Sequence, residues 1–100
     1  MNNNKVGSYI GFAIKARKCL FGYDAIYKSQ KVQCIIYSDD LSEKSAENLR
    51  YYAERNEIPI YSIGSAELKD YVSRDGVKAI GITDINLAGA IDSQLNEDRD

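Results

Sequence analysis

One hundred residues with 44% hydrophobic and 28% charged side chains leave room for a single modest core, and exclude both a mostly disordered chain and a second domain. The net charge of −2 by itself speaks against a polyanion-binding surface, and the lack of histidine removes Ser-His-Asp and Cys-His nucleophile pairs, histidine proton shuttles and most zinc sites. No run approaches the ~18 uninterrupted apolar residues of a membrane span, and Tyr9–Ile14 is too short and glycine-interrupted for a signal peptide, so the expected location is cytoplasmic.

In chain order, Met1–Lys5 is polar and expected to fray. Ile10, Ala13, Ile14 and Arg17 recur at helical spacing and predict a first helix over about Ser8 to Lys18, followed by a short strand at Leu20–Phe21. Asp24 to Ser29 reads as a brief second helix with Asp24 capping its start. "KVQCIIYS" is β-branched and almost continuously apolar, the pattern of a strand covered on both faces. The next helix begins at Asp40, with Glu43 three residues on as a capping-box variant, and buries Ala46, Leu49, Tyr52 and Ala53. "IPIYSI" is a strand, Gly64 and Ser65 open a helix packed through Leu68, Tyr71 and Val72, and Asp75-Gly76 is a turn. "VKAIGIT" is the last strand; Thr83 or Asp84 caps a final helix burying Leu87, Ala88, Ile91 and Leu95, and Asn96–Asp100 forms a loose acidic tail. Alternating strands and helices predict an α/β layered domain with a sheet between helices.

Charge is unevenly spread. From Met1 to Lys31 six basic residues (Lys5, Lys15, Arg17, Lys18, Lys28, Lys31) face the single acid Asp24, a local balance of +5, whereas the remaining 69 residues carry −7. Such polarity is compatible with one face meeting phosphates and equally with an idle surface. The stretch "KCLFGYDAIYK" concentrates the question: Gly22 permits close approach of a ligand to the backbone, and Tyr23 follows it at the mouth of a helix. Tyr52 and Tyr71 sit on helical apolar stripes and Tyr61 lies in a strand, and all three read as structural.

Other chemistry is thin. Neither a GxxxxGK[ST] phosphate loop nor a GxGxxG fingerprint is present. Asp39 and Asp40, at the carboxyl end of a strand, could hold Mg²⁺, although capping and solvation explain both carboxylates without a metal. Cys19 and Cys34 lie in apolar runs and read as reduced, buried thiols, with a regulatory disulfide as the alternative. No catalytic residues, cofactor or metal are expected.

The order of "IGFAIKARKCLFGYDAIYK", "VQCIIYSDDLSEKSAENLRYYAERNEIPIYSIGSAELKDYV" and "VKAIGITDINLAGAI" resembles the L7Ae/L30e ribosomal protein superfamily, most of all its small bacterial YlxQ-like branch, from about Tyr9 to Ile91. The resemblance implies a single L30e-like domain over residues 1–100 with an ordered core of about 6–95. Its fold would be a three-layer α/β/α sandwich around a mixed four-stranded sheet. It further implies a non-enzymatic partner of structured, kink-turn-like RNA, ribosomal RNA included. The contacts would come from Gly22, Tyr23, Asp24 and Lys28 on the second helix and from Arg74, Gly76 and Val77 on the loop before the last strand. Lys15, Arg17 and Lys18 would add phosphate contacts. Relatives carry Asn and Glu where this chain has Asp24 and Ala25, and a glycine near the position of Arg17. The competing expectation is a protein-interaction module that kept this scaffold without the RNA site.

Overall fold

Cys34–Ser38 is buried at every position, because the strand it forms lies inside a sheet that has helices on both faces. A computed structural model describes residues 5–99, and the expected fraying of Met1–Asn4 falls outside them. The elements are α1 (Val6–Lys15), β1 (Cys19–Phe21), α2 (Tyr23–Lys28), β2 (Cys34–Ser38), α3 (Glu43–Asn56), β3 (Ile60–Ile63), α4 (Ser65–Val72), β4 (Ala79–Ile82) and α5 (Ile85–Arg99). The sheet order is β1-β4-β2-β3; β4 is antiparallel to both of its neighbours, and β2 and β3 are parallel. This is the mixed four-stranded α/β sandwich expected from the sequence.

Alternation along the strands divides the core in two. Cys34, Ile36, Ile80 and Ile82 point toward α1, α4 and α5 and meet Ile10, Leu68 and Ile91; Ile35, Tyr37 and Ala79 point toward α2 and α3 and meet Ile26, Leu49 and Ala53. On the second face Gly81 has no side chain, and a Cβ there would lie 3.1 Å from Ile26 Cγ1 and 3.3 Å from both methyls of Val32. The gap left by glycine is thus what lets α2 and the 29–33 segment close down on β4.

Several boundaries differ from the sequence reading. The first helix starts at Val6 and stops at Lys15, where the N–H of Lys18 donates to the carbonyl of Ala13 (2.7 Å) and that of Arg17 to Ile14 (3.1 Å), a paired closure that turns the chain into β1. This closure puts Arg17 in the left-handed region at φ 60°, a conformation in which a Cβ is crowded. Arg17→Gly is therefore expected to stabilise the protein by about 0.5–1 kcal/mol, net of the entropy that glycine adds to the unfolded chain, seen as a higher urea midpoint at constant m. The cap of α3 is Ser42, whose hydroxyl accepts from the N–H of Ser45 (3.2 Å), and not Asp40, which is held by the hydroxyl of Ser38. Gly64 caps α4 without a side-chain bond, and Asp84 caps α5 by accepting from the N–H of Leu87 (2.8 Å). Tyr52 is only half-buried. The expected loose tail from Asn96 is helical through Arg99, in a stretch with neither glycine nor proline after Gly89 to break it.

Candidate nucleic-acid interface

The site begins where β1 ends. Gly22 has φ 95° and ψ 157°, backbone angles open essentially to glycine alone. Its N–H donates to the carbonyl of Ala79 (2.8 Å), and its carbonyl accepts from Ile26 (3.2 Å) to start α2. The start of α2 is thereby fastened to the first residue of β4, and so to the 73–78 segment that leads into it. No side chain caps α2, which corrects the expectation of a self-capped start: Asp24 lies exposed in its first turn.

The 73–78 segment turns twice through left-handed backbone, at Ser73 (φ 56°) and Gly76 (φ 79°). Between these turns the guanidinium of Arg74 rests over the ring of Phe21, 4.0 Å from its centroid, an arrangement that holds the cation beside Gly22. Val77 is half-buried against the α1/α4/α5 core. Lys69 pairs with Asp75 (2.9 Å) and Lys78 with Asp40 (3.8 Å), both exposed pairs of small energetic weight. Lys69, Arg74 and Lys78 line a cavity of about 260 Å³ together with Ser38, Asp40, Gly76 and Val77.

The structure therefore gathers Gly22, Tyr23, Asp24, Arg74, Gly76 and Val77 at one end of the sheet. It does not bring Lys15, Arg17 and Lys18 there. Strand register sets Cys19 beside Ile82 and Phe21 beside Ile80, and the N–H of Thr83 donates to the carbonyl of Lys18 (2.8 Å), so the α1 end and Gly22 are separated by the whole of β1. Lys28 is exposed at the far end of α2, one six-residue helix away from Gly22. These cations thus lie away from Gly22, with Lys15, Arg17 and Lys18 by the start of β1 and Lys28 by the segment that leads into β2. Tyr23 does not project alone: its ring stacks on Tyr27 (centroids 5.4 Å apart, planes at 20°), and Tyr27 packs in turn on Tyr52 (5.3 Å, 36°).

Sequence reasoning missed Phe21, Lys69 and Lys78. Phe21 reads from sequence as a strand residue and Lys78 as part of "VKAIGIT", and Lys69 carries no signal of its own; only the tertiary contact between β1 and the 73–78 segment reveals them.

Asp39 and Asp40 do not converge with a third acid, and no group of three or more His, Cys, Asp or Glu side chains is placed to hold a metal ion among the described residues. Nor can the cysteines pair. Cys19 and Cys34 both face Ile82 from opposite sides of β4, two strand spacings or about 9.5 Å apart, beyond the ~7 Å limit on Cα separation for a disulfide. Burial pushes the Cys19 thiol up to about 12, partly offset by the positive charge of Arg74; burial pushes Cys34 up to about 12, with Asp92 adding to it. No helix among the described residues is long and apolar enough to cross a membrane.

No protein-family profile and no curated protein matches the chain. Among solved structures, a protein of unknown function from Bacillus halodurans superposes with a TM-score of 0.86 at 20% identity, over 94% of this chain and 99% of that one. At that identity the likeness establishes the shared fold.

Proposed function

We propose that the chain is a non-enzymatic RNA-binding protein of the ribosomal L7Ae type that grips structured RNA, ribosomal RNA among the candidates, at the end of the sheet where α2 begins. The observation that carries this reading is the bond from Gly22 N–H to the carbonyl of Ala79, which joins the two segments into one surface. Gly22 and Gly76 let a sugar-phosphate backbone approach closely, since neither would have a neighbour within 4 Å even with a Cβ. Arg74, Lys69 and Lys78 supply cations for phosphates, and the exposed carboxylate of Asp24 can accept from a guanine amino group.

Binding of a fluorescent kink-turn RNA and a matched straight duplex, measured across a salt series, tests the proposal. Preference for the kinked RNA is expected, weakened about tenfold or more by Arg74→Ala, with the salt slope reduced by about one. Lys28→Ala measures whether the far end of α2 takes part. Equal, steeply salt-dependent affinity for both RNAs would reduce the site to a basic surface. Absence of binding to either would overturn the RNA assignment in favour of the protein-interaction module.

A further inference from the structure

A second cleft lies at the opposite end of α2. Its volume is about 650 Å³, and it opens to solvent between the C-terminal ends of α2 and α3, the 29–33 segment and the turn into β3. The tyrosine stack described above ends here, with Tyr27 and Tyr52 both forming part of the wall. The hydroxyl of Tyr52 donates to the carbonyl of Ser29 (2.6 Å), which fixes that ring, whereas Tyr27 keeps 46% of its surface exposed.

Two cations stand on facing elements, Lys28 from α2 and Arg55 from α3; neither is ion-paired among the described residues, although the Arg55 guanidinium lies 5.5 Å from the centroid of the exposed Tyr51 ring. Glu57 is the one acid on the wall. The last turns of two helices also meet at this cleft; Ala25, Ile26, Ser29, Tyr52, Ala53 and Glu54 already accept there, which leaves the carbonyls of Tyr27, Lys28, Arg55 and Asn56 as acceptors without a donor among the described residues. Gln30, Gln33 and Asn56 add amide groups able to donate or accept. The wall therefore combines flat aromatic surface, acceptors for amino groups and unpaired positive charge.

We propose that this cleft binds an unpaired nucleotide bearing an exocyclic amine, adenylate being the simplest. The base joins the Tyr27–Tyr52 stack with its amino group toward the helix-end carbonyls, and the phosphate lies between Lys28 and Arg55. Stacking on aromatic side chains flanked by cations is the general way in which single strands are held without sequence reading. The site is separate from the surface around Gly22 and Arg74, and it stands whether or not that surface binds RNA.

The test is a titration of isotope-labelled protein with an adenosine tetranucleotide and, separately, with adenosine monophosphate, followed by amide chemical shifts. Shifts are expected at Ser29, Gln30, Gln33, Asn56 and Glu57. Tyr27→Leu is expected to weaken tetranucleotide binding about tenfold, and Arg55→Ala about threefold with a shallower salt dependence. Both side chains are exposed, so folding is retained, which the spectra check directly. Much tighter binding of the tetranucleotide assigns the site to a strand, and equal affinity assigns it to a free nucleotide. Arg74→Ala leaves these shifts unchanged, which separates failure here from failure of the kink-turn reading. Shifts absent from the cleft, undiminished in both variants, or reproduced by inorganic phosphate at the same concentration overturn the proposal.

Discussion

Gly81→Val is expected to destabilise the protein by about 2–3 kcal/mol and to lower Tm by about 10–20 °C. A Cβ alone would stand 3.1 Å from Ile26 and 3.3 Å from Val32, and valine adds two further methyls to the same space. Neither neighbour has an easy retreat, since Ile26 is fully buried on the sheet-facing side of α2 and Val32 is 5% exposed. Nor can the strand move away from them, because β4 is hydrogen-bonded on both sides, to β1 and to β2. The better strand propensity of valine offsets less than about 1 kcal/mol of the loss. Gly11→Ala on α1 is the matched control: nothing lies within 4 Å of the added atom, and alanine is the better helix former. Thermal unfolding of the two variants checks the argument, and an unchanged Tm for Gly81→Val would mean that α2 can lift from the sheet at no cost.

Stability is also expected to fall steeply in alkali, through Cys34. Its folded-state thiol is pushed from 9.0 up to about 12, by burial first and by Asp92 second. A group whose folded pKa is raised keeps its full contribution below the unfolded pKa. Above pH ~9 the unfolded chain releases the proton and the folded one does not, so stability declines until about pH 12. A three-unit difference disfavours the folded thiolate about a thousandfold. Cys19, raised for the same reason, adds to the slope. Urea midpoints at pH 8 and pH 10.5 should therefore fall further in the wild type than in Cys34→Val, which keeps the core filled while removing the titrating group. Identical declines would show that the Cys34 thiol does not carry the alkaline transition. A thiol reagent at pH 8 should leave the native protein unlabelled at Cys34 and label it once unfolded.

Local chemistry made much of the fold legible. The unbroken apolar run Cys34-Ile35-Ile36-Tyr37 could be satisfied only by a strand with helices on both faces, and helical spacing located Ala46, Leu49 and Ala53 correctly. Competing local options were harder to separate. Asp40 and Ser42 are both good helix caps, and the choice fell to Ser42 because Asp40 is engaged by Ser38 and Lys78, partners supplied by the end of β2 and the segment before β4. Arg17 looked like the next basic residue on a helical face, yet it sits past the helix end with a backbone angle that a glycine would hold more easily.

Strand order was the deeper obstacle for the site. Nothing in the residues near Lys18 or Gly22 reveals that β4 pairs with β1, and that pairing separates Lys15, Arg17 and Lys18 from Gly22 while bringing Arg74 onto Phe21. Spacing along the chain speaks to each tyrosine singly, whereas the stack linking α2 to α3 depends on how the two helices pack.

The position of β4 between β1 and β2 also bears on how the chain acquires its shape during synthesis. β2 and β3 can pair as soon as residue 63 is available, but β1 has no strand to bind until residues 79–82 arrive some 60 residues after it, by the pairing of Cys19 with Ile82. Closing so long a loop is a late and entropically costly event. The same event delivers Ala79 to Gly22, so the growing chain carries the Gly22 half of the proposed RNA grip but no grip until residues 73–82 have followed it out of the ribosome.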